Sequence, residues 1–100
     1  SLVERRTRRG YGVGTMRAEL RSRGVGDLRI DDALSGLEPG AEAASAAALA
    51  RRLVDRERGR RDADARGAER VAGALARRGF DVETVRAAVR AAWKEPLPDE

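Results

Sequence analysis

Cysteine and histidine are absent from this 100-residue chain. Without cysteine there is no disulfide framework and no thiolate metal site. Without histidine the commonest general base and the commonest metal ligand are missing. No apolar run approaches the roughly 18 residues of a membrane span, and no signal-peptide pattern is visible. Cytoplasm is the expected compartment. The phosphate-binding pattern GxxxxGK with Ser or Thr and the nucleophile pattern GxSxG are both missing. Ser1, Ser22, Ser35 and Ser45 have no histidine to activate them. Asp27, Asp31 and Asp32 sit near a helix start, where carboxylates offset the helix dipole. No catalytic, cofactor-binding or metal-ligating residue is assigned, no cofactor is expected, and the chain reads as a non-enzyme.

Aromatics are scarce too: Tyr11, Phe80 and Trp93 are the three. Nineteen of the apolar residues are alanine. The core must be thin, built of Leu, Val and Ala between closely packed helices. Burial at about 25 cal/mol per Å² leaves such a fold marginal if cut from a longer one. The chain opens at Ser1 in what already reads as helix, so a piece of a longer protein is expected.

Twenty arginines and one lysine face seventeen acids, a formal charge of +4. The charge comes in blocks: +5 over residues 1–23, −4 over 27–45 and +4 over 51–61. Such blocks suit a surface that meets a mixed-charge partner, or arginine stripes that follow phosphates.

One stretch occurs twice. Residues 16–34 read MRAELRSRGVGDLRIDDAL and residues 71–89 read VAGALARRGFDVETVRAAV, aligned without a gap at an offset of 55. Leu20/Leu75, Arg23/Arg78, Gly24/Gly79 and Ala33/Ala88 are identical, and four further positions exchange one apolar residue for another. The positions kept are those that a helix, a tight corner and a second helix require, so a helical repeat is indicated. Glycine just past a helix end takes the left-handed conformation at little cost. The residue after it then packs back: Val25 on Leu20, and Phe80 on Leu75. Asp81 is a strong N-cap for the following helix; Gly26, ahead of Asp27, is a weaker one.

Taken in order, residues 1–9 read as the end of a helix, broken at Gly10-Tyr11-Gly12. The next helix, Val13 to Arg23, turns Val13, Met16 and Leu20 to one side and Arg17 and Arg21 to another. Asp27 to about Leu37 places Ile30, Ala33, Leu34 and Leu37 inward. Glu38-Pro39-Gly40 is the clearest boundary. A long helix from about Ala41 to Arg58 carries the stripe Ala46, Leu49, Ala50 and Leu53. Its segment RLVDRE, from Arg52, echoes SLVERR, from Ser1, at an offset of 51. The loop after it, 59–65, is therefore four residues longer in the second copy, and it is expected to be mobile. A helix from about Asp64 to Arg78 turns Ala68, Val71, Ala72 and Leu75 inward. Gly67 and Gly73 weaken it by roughly 1 kcal/mol each unless they allow close helix contact. The last helix, Val82 to about Lys94, is expected to bury Val82, Val85, Val89 and Trp93 and to expose Arg86, Arg90 and Lys94. Prolines 96 and 98 end it. The expected fold is all-α, an elongated array of tandem three-helix repeats: 1–38, with its first helix truncated, and 39–95, followed by a loose tail at 96–100.

A small helix-turn-helix-like DNA-binding protein, contacting phosphates through arginine stripes, is the rival reading. Its recognition helix in the first copy would be DLRIDDALSG. Three aspartates facing a groove are repelled by phosphate and can accept only from cytosine amino groups. Weak nonspecific contact through Arg5, Arg6, Arg8, Arg9 and the Arg51–Arg61 region stays open.

Gly10-Tyr11-Gly12, Met16 to Arg21, Arg23-Gly24-Val25 and Ile30 to Leu34 together resemble the second repeat of the RecX family. That repeat commonly shows Gly-aromatic-Gly-Pro, a Glu-Leu pair and Lys/Arg-Gly-Val. Ala76-Arg77-Arg78-Gly79-Phe80, with Val85 and Val89, resembles the third repeat, where Arg-Arg-Gly-Phe is characteristic. The resemblance runs from Leu2 to about Lys94. Val13 stands where the family usually has proline, and Gly26 where it tends to carry an N-capping acid. The family's first repeat is not represented. The resemblance implies a modulator, mostly inhibitory, of the RecA recombinase. Such proteins lie in the groove of the RecA–single-stranded DNA filament and impede ATP hydrolysis, strand exchange and repressor cleavage. It implies no catalytic residue and no cofactor. By charge and expected exposure, Arg17, Arg21, Arg52, Arg56, Arg77, Arg86, Arg90 and Lys94 are assigned to contact with RecA or with nucleic-acid phosphate. A monomer is expected.

Overall fold

The computed structural model describes residues 1–60 and 65–94. Residues 61–64 and 95–100, which hold most of the expected mobile loop and the whole expected tail, lie outside the described residues. Six helices follow one another: α1 (Leu2–Arg8), α2 (Val13–Ser22), α3 (Asp27–Ser35), α4 (Ala41–Arg58), α5 (Ala65–Arg77) and α6 (Val82–Lys94). No strand occurs among the described residues. The fold is all-α, an array of packed helices measuring 47 × 22 × 19 Å.

Both expected corners form. After α2, the amide of Gly24 donates to Arg21 O (2.9 Å) and that of Val25 to Leu20 O (3.0 Å). After α5, the amide of Gly79 donates to Ala76 O (3.0 Å) and that of Phe80 to Leu75 O (3.4 Å). This is the paired Schellman closure, and the glycines sit at φ +86° and +94°. Asp81 caps α6, accepting from the amide of Thr84 at 2.8 Å. That bond holds its carboxyl below the ordinary value. Gly26 caps α3 with no side chain to offer.

Helices α4, α5 and α6 share one core. Ala46, Leu49, Ala50 and Val54 of α4 meet Val71, Leu75, Phe80, Val85, Ala88 and Ala92. Leu53, Ala72, Val89 and Trp93 flank it. Gly67 is buried where its absent side chain admits Trp93 and Glu57, within 3.1 and 3.5 Å of where a Cβ would stand. Gly73 meets only its own helix's Arg77. The first three helices bury less: Val3, Met16 and Ile30. Val3 and Val54, equivalent under the offset of 51, are both buried.

Two inward assignments are corrected. Val82 is 63% exposed. The α6 seam runs through Val85, Ala88 and Ala92, and Val82 falls at the lip of a surface depression instead. Ala33 is also exposed. Helix α3 lies on α2 along Ile30 and Leu34, a contact too narrow to reach it.

The two halves meet end to end. The N-terminus of α2 begins at Gly12, which has no capping side chain. The first amides of a helix lack intrahelical partners, and here the far half of the chain supplies them. Gly12 N–H donates to Arg78 O (2.7 Å) and Gly14 N–H to Gly79 O (3.0 Å). Val13 N–H donates to the Glu42 carboxylate at 2.6 Å. The carbonyl end of α5 thus faces the amide end of α2, so the two helix dipoles attract. Proline at position 13 would have no N–H to give Glu42. The approach is close: a Cβ on Gly79 would overlap the Thr15 amide and hydroxyl, and one on Gly14 would lie 2.9 Å from Gly79 O. The Arg78 guanidinium closes the junction. It lies 4.4 Å over the Tyr11 ring and donates to Arg9 O at 3.1 Å. Helix α1 rests on the alanine-rich start of α4, where Ser45 Oγ donates to Thr7 O at 2.7 Å.

Candidate interaction surface

Arginine in this fold divides into residues that hold helices together and residues that face outward. Arg6 of α1 clamps Glu19 of α2 through two parallel bonds of 2.9 and 2.7 Å. Glu19 also accepts from Arg23 at 3.2 Å. The hydrogen bond from Arg6 holds the Glu19 carboxyl below its ordinary value, and the same bond raises Arg6. The second half carries the clamp with signs exchanged. Glu57 of α4, its side chain 11% exposed, accepts from Arg70 of α5 at 2.8 and 2.7 Å. Arg60 lies 3.8 Å from the same carboxylate oxygen that Arg70 Nη2 reaches. Arg58 donates to the carbonyls of Trp93 (2.9 Å) and Ala92 (3.4 Å), placing a cation at the C-terminal end of α6.

The residues assigned from sequence to partner contact fall into two groups. Arg17 and Arg21 are tied to α3: Arg17 to Asp31 at 2.9 Å and Arg21 to Asp27 at 3.2 Å. They stitch the α2–α3 hairpin and neutralise much of its acidic face. Arg52, Arg56, Arg77, Arg86, Arg90 and Lys94 are exposed and make no ion pair among the described residues.

These six are not brought to one spot. Arg52 shares a depression with Arg8, between α1 and α4. Arg56 stands with Arg60 and Arg70 at the α4–α5 groove, above the Glu57 clamp. Arg77 lies along α5 with Arg66 and Arg70. Arg86 and Arg90 follow the rim of a groove between α5 and α6. That groove consists of two adjoining depressions of ≈ 350 and ≈ 430 Å³. Its floor is Ala68, Ala72, Ala76, Phe80, Val85 and Val89, with Val82 at one end and Glu69 on the α5 side. Along the groove α5 presents Ala68, Ala72, Gly73 and Ala76, small side chains that leave the depression open, with Glu69 beside them.

Among the described residues, no group of three or more His, Cys, Asp or Glu could hold a metal ion. No described helix is long and apolar enough to cross a membrane. Sequence reading missed the Glu57–Arg70 clamp, the Glu42 cap and the α5–α6 groove. The echo of RLVDRE in SLVERR was the one available signal, since it aligns Glu57 with Arg6.

No family model and no solved structure matches the chain. Curated relatives do. "Regulatory protein RecX" of Mycolicibacterium vanbaalenii is 42% identical over 81 residues, which are 77% of this chain and 44% of that protein. The protein of the same name from Mycolicibacterium smegmatis is 40% identical over 74 residues, 72% of this chain and 39% of that protein. That of Chromohalobacter salexigens is 41% identical over 92 residues, 92% of this chain and 57% of that protein. The chain thus spans about half the length of the curated relatives it matches. Identity at this level over most of the chain makes this chain a member of the RecX family of regulatory proteins.

Proposed function

We propose that this chain modulates the RecA recombinase, in the main as an inhibitor, by binding in the groove of the RecA–single-stranded DNA filament. There it impedes ATP hydrolysis, strand exchange and RecA-promoted repressor cleavage. The observation that carries the reading is the identity to proteins named regulatory protein RecX across most of the chain. The physical character of the surface agrees with it. A thin-cored helical array without reactive groups acts by covering another surface, and repeat arrays present long faces for that purpose. Exposed cations outside the helix clamps include Arg86, Arg90 and Lys94 on α6, Arg77 on α5, and Arg52 and Arg56 on α4. Arg17 and Arg21 would have to release Asp31 and Asp27 to join them. Cytoplasm follows from this reading as the place of action.

The helix-turn-helix alternative is weaker. Helix α3 has Asp27, Asp31 and Asp32 exposed, and bringing them to a phosphate-lined groove is unfavourable. The deciding experiment is a titration of the chain into RecA with single-stranded DNA, reading ATP hydrolysis, beside a full-length relative. Inhibition supports the proposal. Unchanged hydrolysis at saturating chain, with the full-length relative active, would confine the function to parts outside this chain. Nanomolar, sequence-specific duplex binding at physiological salt would favour the DNA-binding alternative.

A further inference from the structure

Helix α3 is lightly anchored. Of its nine residues only Ile30 is buried and only Leu34 half-buried; the other seven are exposed. It packs on α2, and its N-cap Gly26 makes no side-chain bond. Two ion pairs add to that packing, Arg17 to Asp31 and Arg21 to Asp27, and their carboxylate side chains are 60 and 71% exposed. Exposed pairs contribute little and weaken with salt. The chain on either side of α3 is uncrowded. A Cβ at Gly24, Gly26 or Gly40 would meet nothing within 4 Å, whereas one at Gly12, Gly14 or Gly79 would collide with the opposite half. Elements with few buried apolar contacts open first, as cooperative units.

Asp27 and Asp31 stand one turn apart on α3, and Arg17 and Arg21 one turn apart on α2, so each helix presents its two charges along one face. Glu19 of α2 is engaged elsewhere, by Arg6 and Arg23. Arg29 and Asp32 of α3 are exposed, opposite in sign, and enter neither pair. We propose that α3 is a detachable acidic cover on α2. It leaves α2 as a unit, pivoting in the segments 24–26 and 36–40, while α1, α2 and α4–α6 stay folded. Burial of Ile30 keeps the closed form dominant. Closed, α3 neutralises Arg17 and Arg21; open, it releases both charges to an acidic protein surface. Carboxylates one helical turn apart on that surface reproduce what Asp27 and Asp31 offer. Closure and partner contact use the same guanidinium groups, so they exclude one another, and apparent affinity scales with the open fraction. That the partner is RecA rests on the function proposed above; the detachment of α3 does not.

Hydrogen exchange tests the detachment. The amides of Ile30 to Leu34 should exchange about tenfold or more faster than those of Leu49 and Leu75, at rates independent of low denaturant. Asp27→Asn with Asp31→Asn should speed α3 exchange about threefold to tenfold and leave Leu49 and Leu75 unchanged. Added salt should act on α3 in the same direction. A variant whose Leu49 and Leu75 amides also lose protection is replaced by Asp31→Asn alone. Inhibition of RecA ATP hydrolysis tests the cover. The aspartate variant should inhibit at a correspondingly lower concentration than the parent chain. Glu4→Gln with Glu83→Gln makes the same change in net charge away from α3 and should bring no gain. Adding Arg17→Gln and Arg21→Gln to the aspartate variant should cancel its gain. Exchange of α3 at the rate of Leu49, or α3 exchange indifferent to the loss of both aspartates, overturns the detachment. The cover is overturned by an absent gain, by a gain matched in the control variant, or by one that survives without the two arginines. If neither chain inhibits while the full-length relative does, the function proposed for this chain fails, and exchange alone decides whether α3 detaches.

Discussion

Replacing Gly79 by alanine should cost far more than replacing its counterpart Gly24. Both glycines hold left-handed backbone, at φ +94° and +86°, and both close the same Schellman pattern. Each substitution therefore incurs the local penalty of a Cβ in that conformation, roughly 1–2 kcal/mol. Around Gly24 the cost ends there, because nothing lies within 4 Å of the new methyl. At Gly79 the methyl would overlap the Thr15 amide and hydroxyl and stand 2.9 Å from Thr15 Cβ. The start of α2 must then withdraw. The bonds from Gly12 to Arg78 O and from Gly14 to Gly79 O are lost, each worth about 0.5–1.5 kcal/mol net. The stacked Arg78 guanidinium loses its register over Tyr11 as well. The expected total is roughly 3–5 kcal/mol for Gly79→Ala against roughly 1–2 for Gly24→Ala. Thermal unfolding by circular dichroism should separate them. For a domain of this size, about 4–8 °C of melting temperature corresponds to each kcal/mol. Hydrogen exchange locates the difference: the Gly12 and Gly14 amides should lose protection in Gly79→Ala and keep it in Gly24→Ala. Equal destabilisation by the two substitutions, or continued protection of those amides in Gly79→Ala, refutes the reasoning.

Acid should act through Glu19. Its folded-state carboxyl is held below the ordinary 4.5 by Arg6, so its stabilisation is present above 4.5 and is lost as pH falls through the depressed folded value. Glu19→Gln should therefore be less stable at neutral pH and show a shallower acid limb, and an unchanged limb would assign acid sensitivity elsewhere. Arg70→Ala should cost about 2 kcal/mol in denaturant titration, because it leaves the Glu57 carboxylate largely buried with Arg60 at longer range. A cost under about 0.5 kcal/mol would mean that Glu57 reaches water unaided. The double substitution Arg86→Glu, Arg90→Glu should leave stability within about 0.5 kcal/mol, since both side chains are exposed. It should weaken inhibition of RecA ATP hydrolysis; full inhibition with intact folding would move the contact to Arg52, Arg56 or Arg77.

What the residues determined without help from tertiary structure was local. Helix starts and stops rest on caps, prolines and glycines acting over about five positions, so α4 and α6 begin and end where the pattern places them. The two glycine corners were legible for the same reason: a left-handed glycine and its two backbone bonds involve only one turn of chain. The apolar stripes were legible where a helix has neighbours on a broad face, as with Leu49, Val71 and Leu75. Where the contact is narrow or the helix overhangs, periodicity overassigns burial, and Val82 and Ala33 are the result. The tertiary structure alone decided which partners are shared between distant segments. Nothing near Gly12 in sequence could say that its helix is capped by the end of α5, or that Val13 finds a carboxylate 29 positions away. Arg78 and Arg9, 69 positions apart, meet only because two helix ends are brought together. Charge follows the same division. The count of arginines was in the composition, but their availability was not. A guanidinium is free for a partner only if no carboxylate in the fold reaches it first. Asp31 and Asp27 reach Arg17 and Arg21, whereas Arg86 and Arg90 of α6 form no ion pair among the described residues.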